Sequence, residues 1–258
     1  MHIKPKKSLG QNFLIDKNIR NKIINACGLR SKDRVLEIGA GRGELSGLIL
    51  EKVARLYAVE LDSRLTLDLR ENFKNHSNIE IINQDILQFN LLKIRGKAIV
   101  VGNIPYYITS PIIEHLLKFK QKIKVIFLTV QKEFAARIAA KPGTKTYGSF
   151  SCFVQYNAEC KVLFNIKKGS FSPQPRVDSA FIKMQIRNRP PVEVKNETDF
   201  FKIIRASFNQ RRKTLRNSLE GILPKEALIL FFNKYAINYN IRPEDLSLRD
   251  FANLANMI

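Results

Sequence analysis

The stretch VLEIGAGRGELS (residues 35–46) decides the fold of this chain. A short apolar run leads into three glycines, and the helical pattern GELSGLILEKVAR (residues 43–55) follows directly. A strand that passes through a glycine turn into a helix is the opening unit of an open α/β sheet. Glycine at such a turn lets the backbone approach a ligand closely. We therefore predict a ligand site at this turn.

Working outward, strand-like and helix-like runs alternate along the chain. We predict strands at residues 34–38, 56–60, 79–82, 98–102 and 124–130, with helical patterns between most of them. Strands that are apolar on both faces and separated by helices predict a parallel sheet covered by helices on both sides. Ligands of such sheets bind beyond the carboxyl ends of the strands. Two later runs, CKVLFNI (residues 160–166) and SAFIKMQI (residues 179–186), are predicted to complete the sheet.

The two ends of the chain differ from this pattern. Near the start, Asp16 is placed to cap an amphipathic helix that carries Ile19, Ile23, Ile24 and Cys27. From Arg189 an Arg-Pro-Pro linker leads into a helical pattern, with Pro224 and Pro243 near helix starts. We predict two domains, residues 1–188 and a small all-α domain at residues 189–258.

Composition limits the classes of function that the chain can have. Among 258 residues, 44 Lys and Arg stand against 23 Asp and Glu, a net charge of +21 with a pI of about 10.0. Such a charge attracts polyanions, nucleic acid first, although a basic proteome with solvated lysine faces gives the same balance. Three cysteines without metal-ligand spacing indicate free thiols in a reducing compartment and no metal site. No apolar run approaches the length of a membrane span, so we expect a cytoplasmic protein.

The glycine turn itself argues against a dinucleotide. The dinucleotide fingerprint is G-x-G-x-x-G, but here the third glycine comes one residue early and Glu44 takes its place. Glu37, inside the turn, would repel a phosphate and suits a cationic or zwitterionic ligand. A nicotinamide-dependent oxidoreductase is therefore disfavoured.

Acidic residues also end the next two predicted strands. Glu60 in YAVELD can accept from both hydroxyls of a ribose, and Asp85 in NQDILQF can accept from an adenine amine, with Ile86 as an apolar wall. Taken singly, Glu60 is equally a solvated strand-end acid, and Asp85 is equally a helix N-cap. Together with the glycine turn, the set indicates an adenosine ligand without phosphates, of which S-adenosylmethionine is the obvious example.

The stretch VVGNIPYYITSP (residues 100–111) ends the fourth predicted strand. The adenine N6 amine is a poor nucleophile because its lone pair is delocalised into the ring. The side-chain oxygen of Asn103, with a backbone carbonyl from Ile104 or Pro105, can hold both N–H bonds and aim the lone pair at a methyl donor. Tyr106 offers a ring on which the base can stack. The plainer interpretation is a Pro-containing turn with a core tyrosine.

Several motifs together resemble a known family. They are KSLGQNFL (residues 7–14), LEIGAGRG, VELD, QDIL, NIPY, FSPQPRVDSAFI (residues 171–182) and FNQRRKTLRNSL (residues 208–219). The chain resembles the ribosomal RNA adenine N6-dimethyltransferases, more closely the branch acting on two adjacent adenines near the 3′ end of small-subunit ribosomal RNA. This resemblance implies a Rossmann-like class I methyltransferase with a mostly parallel seven-stranded sheet and S-adenosyl-L-methionine as cofactor. Ile104 and Arg42 stand where many relatives have leucine and threonine.

The resemblance also implies roles for individual residues. Gln11 and Phe13 would close the site, and Phe171 would stack on the face of the flipped adenine opposite Tyr106. The cofactor contacts that we predict are Gln11, Asn12, Leu14, Glu37, Gly39, Gly41, Glu60, Leu61, Asp85, Ile86 and Asn103. The catalytic group is Asn103, Ile104, Pro105, Tyr106 and Phe171.

The charge fits an RNA substrate. Residues 189–258 carry 12 Lys and Arg against 8 Asp and Glu, so +17 of the net +21 lies in the first domain. The expected partner is small-subunit ribosomal RNA or the 30S particle, bound by a monomer without a membrane or a metal. Candidate phosphate contacts are Lys4, Lys6, Lys7, the run KFKQKIK (residues 118–124), Arg211, Arg212, Lys213 and Arg216. Two alternatives are a large-subunit ribosomal RNA dimethyltransferase and a non-catalytic assembly or transcription factor that binds RNA or DNA.

Overall fold

The described part of the computed structural model covers residues 3–210 and 212–258. Within it, nine strands are β1 (Phe13–Leu14), β2 (Arg34–Ile38), β3 (Arg55–Glu60), β4 (Ile79–Asn83), β5 (Ala98–Asn103), β6 (Ile123–Gln131), β7 (Ala158–Ile166), β8 (Phe171–Ser172) and β9 (Ser179–Ile186). Arg211, one of the predicted phosphate contacts, lies outside the described residues.

Seven of these strands form one sheet, in the order β4-β3-β2-β5-β6-β9-β7. The pairs β4–β3, β3–β2, β2–β5 and β5–β6 are parallel, whereas β9 runs antiparallel to β6. The predicted mostly parallel seven-stranded sheet is therefore confirmed. Because β2, β3, β4 and β5 run in the same direction, their carboxyl ends meet at one edge. That edge is where the sequence concentrates its polar strand-end residues.

Helices follow or separate most of the strands. Among the described residues they are α1 (Lys17–Cys27), α2 (Glu44–Leu50), α3 (Ser63–Asn72), α4 (Thr109–Lys118), α5 (Lys132–Ile138), α6 (Ser149–Asn157), α7 (Glu197–Phe208), α8 (Leu215–Ser218), α9 (Lys225–Lys234) and α10 (Leu248–Ala255). Asp16 caps α1, as predicted, because its carboxylate accepts from the backbone N–H of Asn18 and of Ile19. None of the helices in the described ranges is long and apolar enough to cross a membrane.

The chain divides into two compact units. One runs up to Ala135 and resumes at Lys161–Ile186; the other consists of Ala136–Cys160 and Arg187–Ile258. The first unit contains most of the sheet, and its core includes the fully buried Val35, Leu56 and Val101. This division departs from the predicted one, which placed all residues up to 188 in the first domain.

An aromatic core explains why residues 136–160 belong to the second unit. The rings of Tyr156 and Phe200 lie 5.2 Å apart, and the Tyr156 hydroxyl donates to Glu197 at 3.0 Å. Tyr147 and Cys152 are buried in the same cluster, with Phe231 of α9. The C-terminal helices therefore complete their core with side chains that precede β7 in the chain.

Candidate active site

A cavity opens at the carboxyl ends of β2, β3, β4 and β5. Its empty space is about 810 Å³, a figure that counts the part open to solvent. A smaller pocket adjoins it and shares Phe13, Gly39, Gly41 and Asn103 as lining residues. Both lie in the first unit.

Most of the predicted site residues meet here. The main cavity is lined by Gln11, Asn12, Gly39, Gly41, Glu60, Leu61, Asp85, Ile86, Asn103, Ile104, Pro105 and Tyr106. Leu14 and Glu37 line the smaller pocket instead. The strand ends and the segment before α1 thus form one continuous site.

Phe171 does not fit the role that the resemblance implied. It is 3% exposed, packs in the hydrophobic core of the first unit, and is absent from the lining of both pockets. It lies in β8, which pairs antiparallel with β1, so that Phe171 stands opposite Leu14. In this arrangement Phe171 supports the segment that covers the cavity, and it is not placed to stack on a base.

The glycine turn brings the backbone close to the cavity. Gly39 and Gly41 adopt the left-handed region, with φ of 70° and 61°. A Cβ on Gly41 would lie 3.3 Å from the Phe13 ring, and one on Gly39 would lie 3.4 Å from the Asn103 carbonyl oxygen. Side chains at either position would therefore be strained, and at Gly41 one would also crowd the ring.

Glu60 is buried and held by two backbone donors. Its Oε2 accepts from the N–H of Gly41 and its Oε1 from the N–H of Asp62, both at 2.9 Å. Burial raises the pKa of this carboxyl. Each carboxylate oxygen has further lone pairs, so Glu60 can still accept from a bound hydroxyl. The glycine turn and the end of β3 are thereby joined at the cavity.

Asp62 supports a residue of the cavity wall, Gln11, and was not predicted from the sequence. Its side chain is fully buried, and its carboxylate accepts from Arg64 at 2.6 Å and from the Gln11 side chain at 3.2 Å. The Arg64 guanidinium, followed by the Gln11 amide, lowers the pKa of Asp62 to about 2. Asp62 therefore ties the segment before α1 to β3. Its position directly before the helical run of α3 was the available signal, because aspartate is a preferred N-cap.

Glu37 lies under the smaller pocket and is 1% exposed. Its Oε2 accepts from the Ser46 hydroxyl at 2.6 Å. Burial, with the nearby charges of Glu60 and Glu44, raises the pKa of Glu37 to about 8. A buried carboxyl of this kind favours a cation beside it, since a neighbouring positive charge would compensate its desolvation.

Asp85 is a turn cap that also lines the main cavity. Its Oδ1 accepts from the Leu87 N–H at 2.9 Å and so caps the turn Ile86–Gln88. No described group donates to its Oδ2, and Asp85 lines the main cavity. Ile86 beside it is 6% exposed and forms an apolar part of the wall.

Asn103 has its amide orientation fixed. Its Nδ2 donates to the Asn12 backbone carbonyl at 2.9 Å, and no described group donates to its Oδ1. The Pro105 carbonyl is already in use, since it accepts from the Ile108 N–H and the Thr109 hydroxyl. No described donor contacts the Ile104 carbonyl. Of the two carbonyls left open by the sequence, that of Ile104 is therefore the available acceptor.

Tyr106 reaches across to β9. Its hydroxyl shares a hydrogen bond with the Ser179 hydroxyl, which fixes where the ring lies at the cavity wall. Burial raises the pKa of Tyr106. The phenol therefore stays neutral near pH 7, and the ring presents an uncharged aromatic surface. Ser179 was not anticipated from the sequence.

Comparison with known proteins identifies the family. The family model described as ribosomal RNA adenine dimethylase matches residues 2–258. The chain belongs to this family. The predicted resemblance is confirmed, and the chain is a methyltransferase that uses S-adenosyl-L-methionine.

Individual members of the family are similar over nearly the whole chain. A ribosomal RNA small subunit methyltransferase A from Caldanaerobacter subterraneus is 43% identical, covering 99% of this chain and 98% of the relative. One from Geobacillus thermodenitrificans is 42% identical, covering 98% of this chain and 90% of the relative. Among solved structures, a dimethyladenosine transferase from Plasmodium falciparum matches with a TM-score of 0.82 at 26% identity, covering 94% of this chain and 95% of that one. The 23S rRNA methyltransferase ErmE matches with a TM-score of 0.76 at 25% identity, covering 95% of this chain and 99% of that one.

The residues of the cavity fit the cofactor of the family. The glycine turn lines the cavity with backbone alone, Glu60 and Asp85 provide acceptors, and the buried Glu37 favours a cation. S-adenosylmethionine presents ribose hydroxyls that suit Glu60, an adenine amine that suits Asp85 and a positive sulfonium that suits Glu37.

Proposed function

We propose that the protein transfers methyl groups from S-adenosylmethionine to the N6 atoms of two adjacent adenines near the 3′ end of small-subunit ribosomal RNA. The products are N6,N6-dimethyladenosines, made during assembly of the small subunit. The observation that carries this proposal is the fixed Asn103 amide, whose Oδ1 remains an open acceptor at the end of β5.

The protein acts on the adenine amine through acceptors. The Asn103 Oδ1 and the Ile104 carbonyl each take one N–H bond of N6, which draws the nitrogen away from the plane of the ring. Its lone pair is then freed from delocalisation and is directed into the cavity. The interaction strengthens as the nitrogen becomes tetrahedral and positive, so it stabilises the transition state more than the ground state.

Alignment of the adenine amine with the methyl donor supplies the remaining rate enhancement. Tyr106, held by Ser179, stacks on the adenine and keeps the amine beside Asn103. No strong general base is required, because the aminium formed by transfer is acidic and passes its proton to solvent water at the open side of the cavity. The Pro105 carbonyl contributes indirectly, since its bonds to Ile108 and Thr109 fix the turn that carries Tyr106.

Glu60, Asp85 and the glycine turn would hold the cofactor, and Glu37 would lie nearest its positive part. When bound, S-adenosylmethionine supplies an electrophilic methyl group on a sulfonium. Gln11 and Asn12 cover the cavity from the segment before α1, where Asp62 and Asn103 secure them.

The RNA would be held mainly by surface cations. Phosphate contacts must be exposed, and the predicted ones that meet this condition are Lys4, Lys7, Lys118, Arg212, Lys213 and Arg216. Lys124 instead pairs with Asp33 at 2.9 Å. The curated relatives at 42–43% identity are named for the small subunit, which favours that branch over the large-subunit alternative. The further parts of the proposal are a monomer, the 30S particle as substrate, and a cytoplasmic location.

Transfer of labelled methyl groups tests the proposal. Purified protein is incubated with tritiated S-adenosylmethionine and with unmethylated small or large ribosomal subunits. We expect up to four methyl groups per small subunit, mapped to two adjacent adenines. Label in large-subunit RNA alone would favour the large-subunit alternative, and binding of small subunits without any label would favour a non-catalytic assembly factor.

A further inference from the structure

Two exposed side chains mark the mouth of the cavity. Of the described residues that line it, Leu61 and Tyr107 are the exposed ones, at 49% and 63%, whereas residues deeper in the wall, such as Ile86 and Ile104, are buried. Tyr107 directly follows Tyr106, yet it lies on the open side of the site. The mechanism proposed above gives it no role.

The Tyr107 ring is held against the backbone of Gly10. A Cβ built on Gly10 would lie 2.9 Å from Tyr107 Cε1 and 3.1 Å from Cδ1. Gly10 has a φ of 60° and ends the turn Lys7–Leu9, donating to the Lys7 carbonyl at 3.0 Å. No described hydrogen bond uses the Tyr107 hydroxyl. The ring is therefore supported by main chain, while most of its surface faces solvent.

We propose that Tyr107 is a stacking platform for the base next to the target adenine. The inference rests on the proposed function. When one adenine enters the cavity, its neighbour loses a stacking partner and must remain near the mouth, within one nucleotide of the cavity. A supported, exposed aromatic ring there can replace the lost stacking. Lys7, exposed on the same segment as Gly10, is placed to take the phosphate between the two nucleotides, whereas Lys6 pairs with Asp62 at 4.0 Å.

Kinetics on unmethylated small subunits tests this platform. Tyr107→Ala should raise the KM for the subunit about 5- to 150-fold, the range that loss of one stacked base produces. Tyr107→Phe should stay within about twofold of the unaltered protein, whereas Tyr107→Leu, which is apolar but not aromatic, should resemble the alanine variant. The Kd for S-adenosylmethionine should not change in any of the three. Leu67→Ala, at a 66% exposed position of α3 outside the cavity, is the control and should change nothing.

Substrates altered beside the target give a second measurement. Subunits with cytidine in place of the neighbouring adenine should bind the unaltered protein less well, because the smaller base stacks less. The same change should matter less to Tyr107→Ala. Equal KM values for the alanine and phenylalanine variants, or parallel losses of subunit and S-adenosylmethionine affinity, would overturn the platform. Absence of methyl transfer by the unaltered protein would instead overturn the proposed function.

Discussion

The Asn103 side chain donates from Nδ2 to the backbone carbonyl of Asn12 at 2.9 Å. This bond joins the end of β5 to the segment before α1. It also determines which end of the amide remains open, because a reversed amide would set Oδ1 against another acceptor. The same hydrogen bond therefore positions the covering segment, residues 3–12, and leaves the Asn103 Oδ1 open to the cavity.

Replacing the amide with a carboxylate tests this dependence. Asn103→Asp keeps an acceptor in the cavity but removes the donor to Asn12, and the ionised carboxylate repels that carbonyl. We expect residues 3–12 to become more sensitive to proteolysis and methyl transfer to fall by about 100-fold or more. Limited proteolysis and transfer rates measure the two effects. A variant that resists protease normally would contradict the coupling.

Asp62 should stabilise the covering segment through its charge. Asp62→Asn retains an N-cap for α3 but loses the ionic contacts with Arg64 and Lys6 and weakens the bond from Gln11. We expect S-adenosylmethionine affinity to fall about fivefold, the difference between a charged and a neutral hydrogen bond. Asp62→Ala should cost about 1 kcal/mol more in unfolding free energy because it also removes the cap.

The charge of Asp62 also predicts a pH dependence. Its pKa in the folded protein is lowered to about 2 from an ordinary value of 3.8, so its stabilising contribution is present above pH 3.8 and is lost as the pH falls towards 2. The stability difference between the unaltered protein and Asp62→Asn should shrink over that range. Urea unfolding at several pH values measures it, and a constant difference would contradict the assignment.

The glycine turn can be tested with a matched pair of glycines. Gly41 and Gly28 have φ of 61° and 57°, so alanine is strained at both, by about 1 kcal/mol. A Cβ meets the Phe13 ring only at Gly41, since Gly28 has nothing within 4 Å. We expect both variants to lose stability, Gly41→Ala the more because it also crowds the Phe13 ring, and S-adenosylmethionine binding, measured by calorimetry, to weaken only in Gly41→Ala. Equal binding by both variants would contradict the close approach.

Glu37 should make stability fall as pH rises. Its pKa is raised to about 8 in the folded protein from an ordinary 4.5, so the unfolded chain ionises first. The free energy of unfolding of the cofactor-free protein should therefore decrease between pH 4.5 and 8 and level off above. Glu37→Gln, which can still accept from Ser46, should remove this decrease. Parallel pH profiles for the two proteins would contradict the raised pKa.

Much of the sheet could be predicted from sequence because its signals are local. Apolar runs bounded by glycine or polar residues placed β3 and β6 within one residue of their observed ends at Arg55 and Gln131. Parallel strands then bring Glu60, Asp85 and Asn103 to one edge by topology alone. The same reasoning predicted the position of the cavity, beyond the carboxyl ends of the strands.

The features that the sequence did not predict depend on contacts between residues far apart in the chain. The strands β1 and β8 have two residues each, too few for any periodic pattern, and their pairing decides that Phe171 is buried. An aromatic residue in a loop has the same sequence signal whether it stacks on a base or fills a core. Residues 136–160 were likewise assigned to the first domain because nothing local shows that Tyr156 packs on Phe200.

Single-turnover methyl transfer by Asn103→Ala tests the central claim most directly. With S-adenosylmethionine and unmethylated small subunits both at saturating concentration, binding differences no longer affect the rate. We predict that subunit binding is retained and that the rate of transfer falls by about 100-fold or more, because the acceptor that frees the N6 lone pair is gone. A rate within about threefold of that of the unaltered protein would contradict the account.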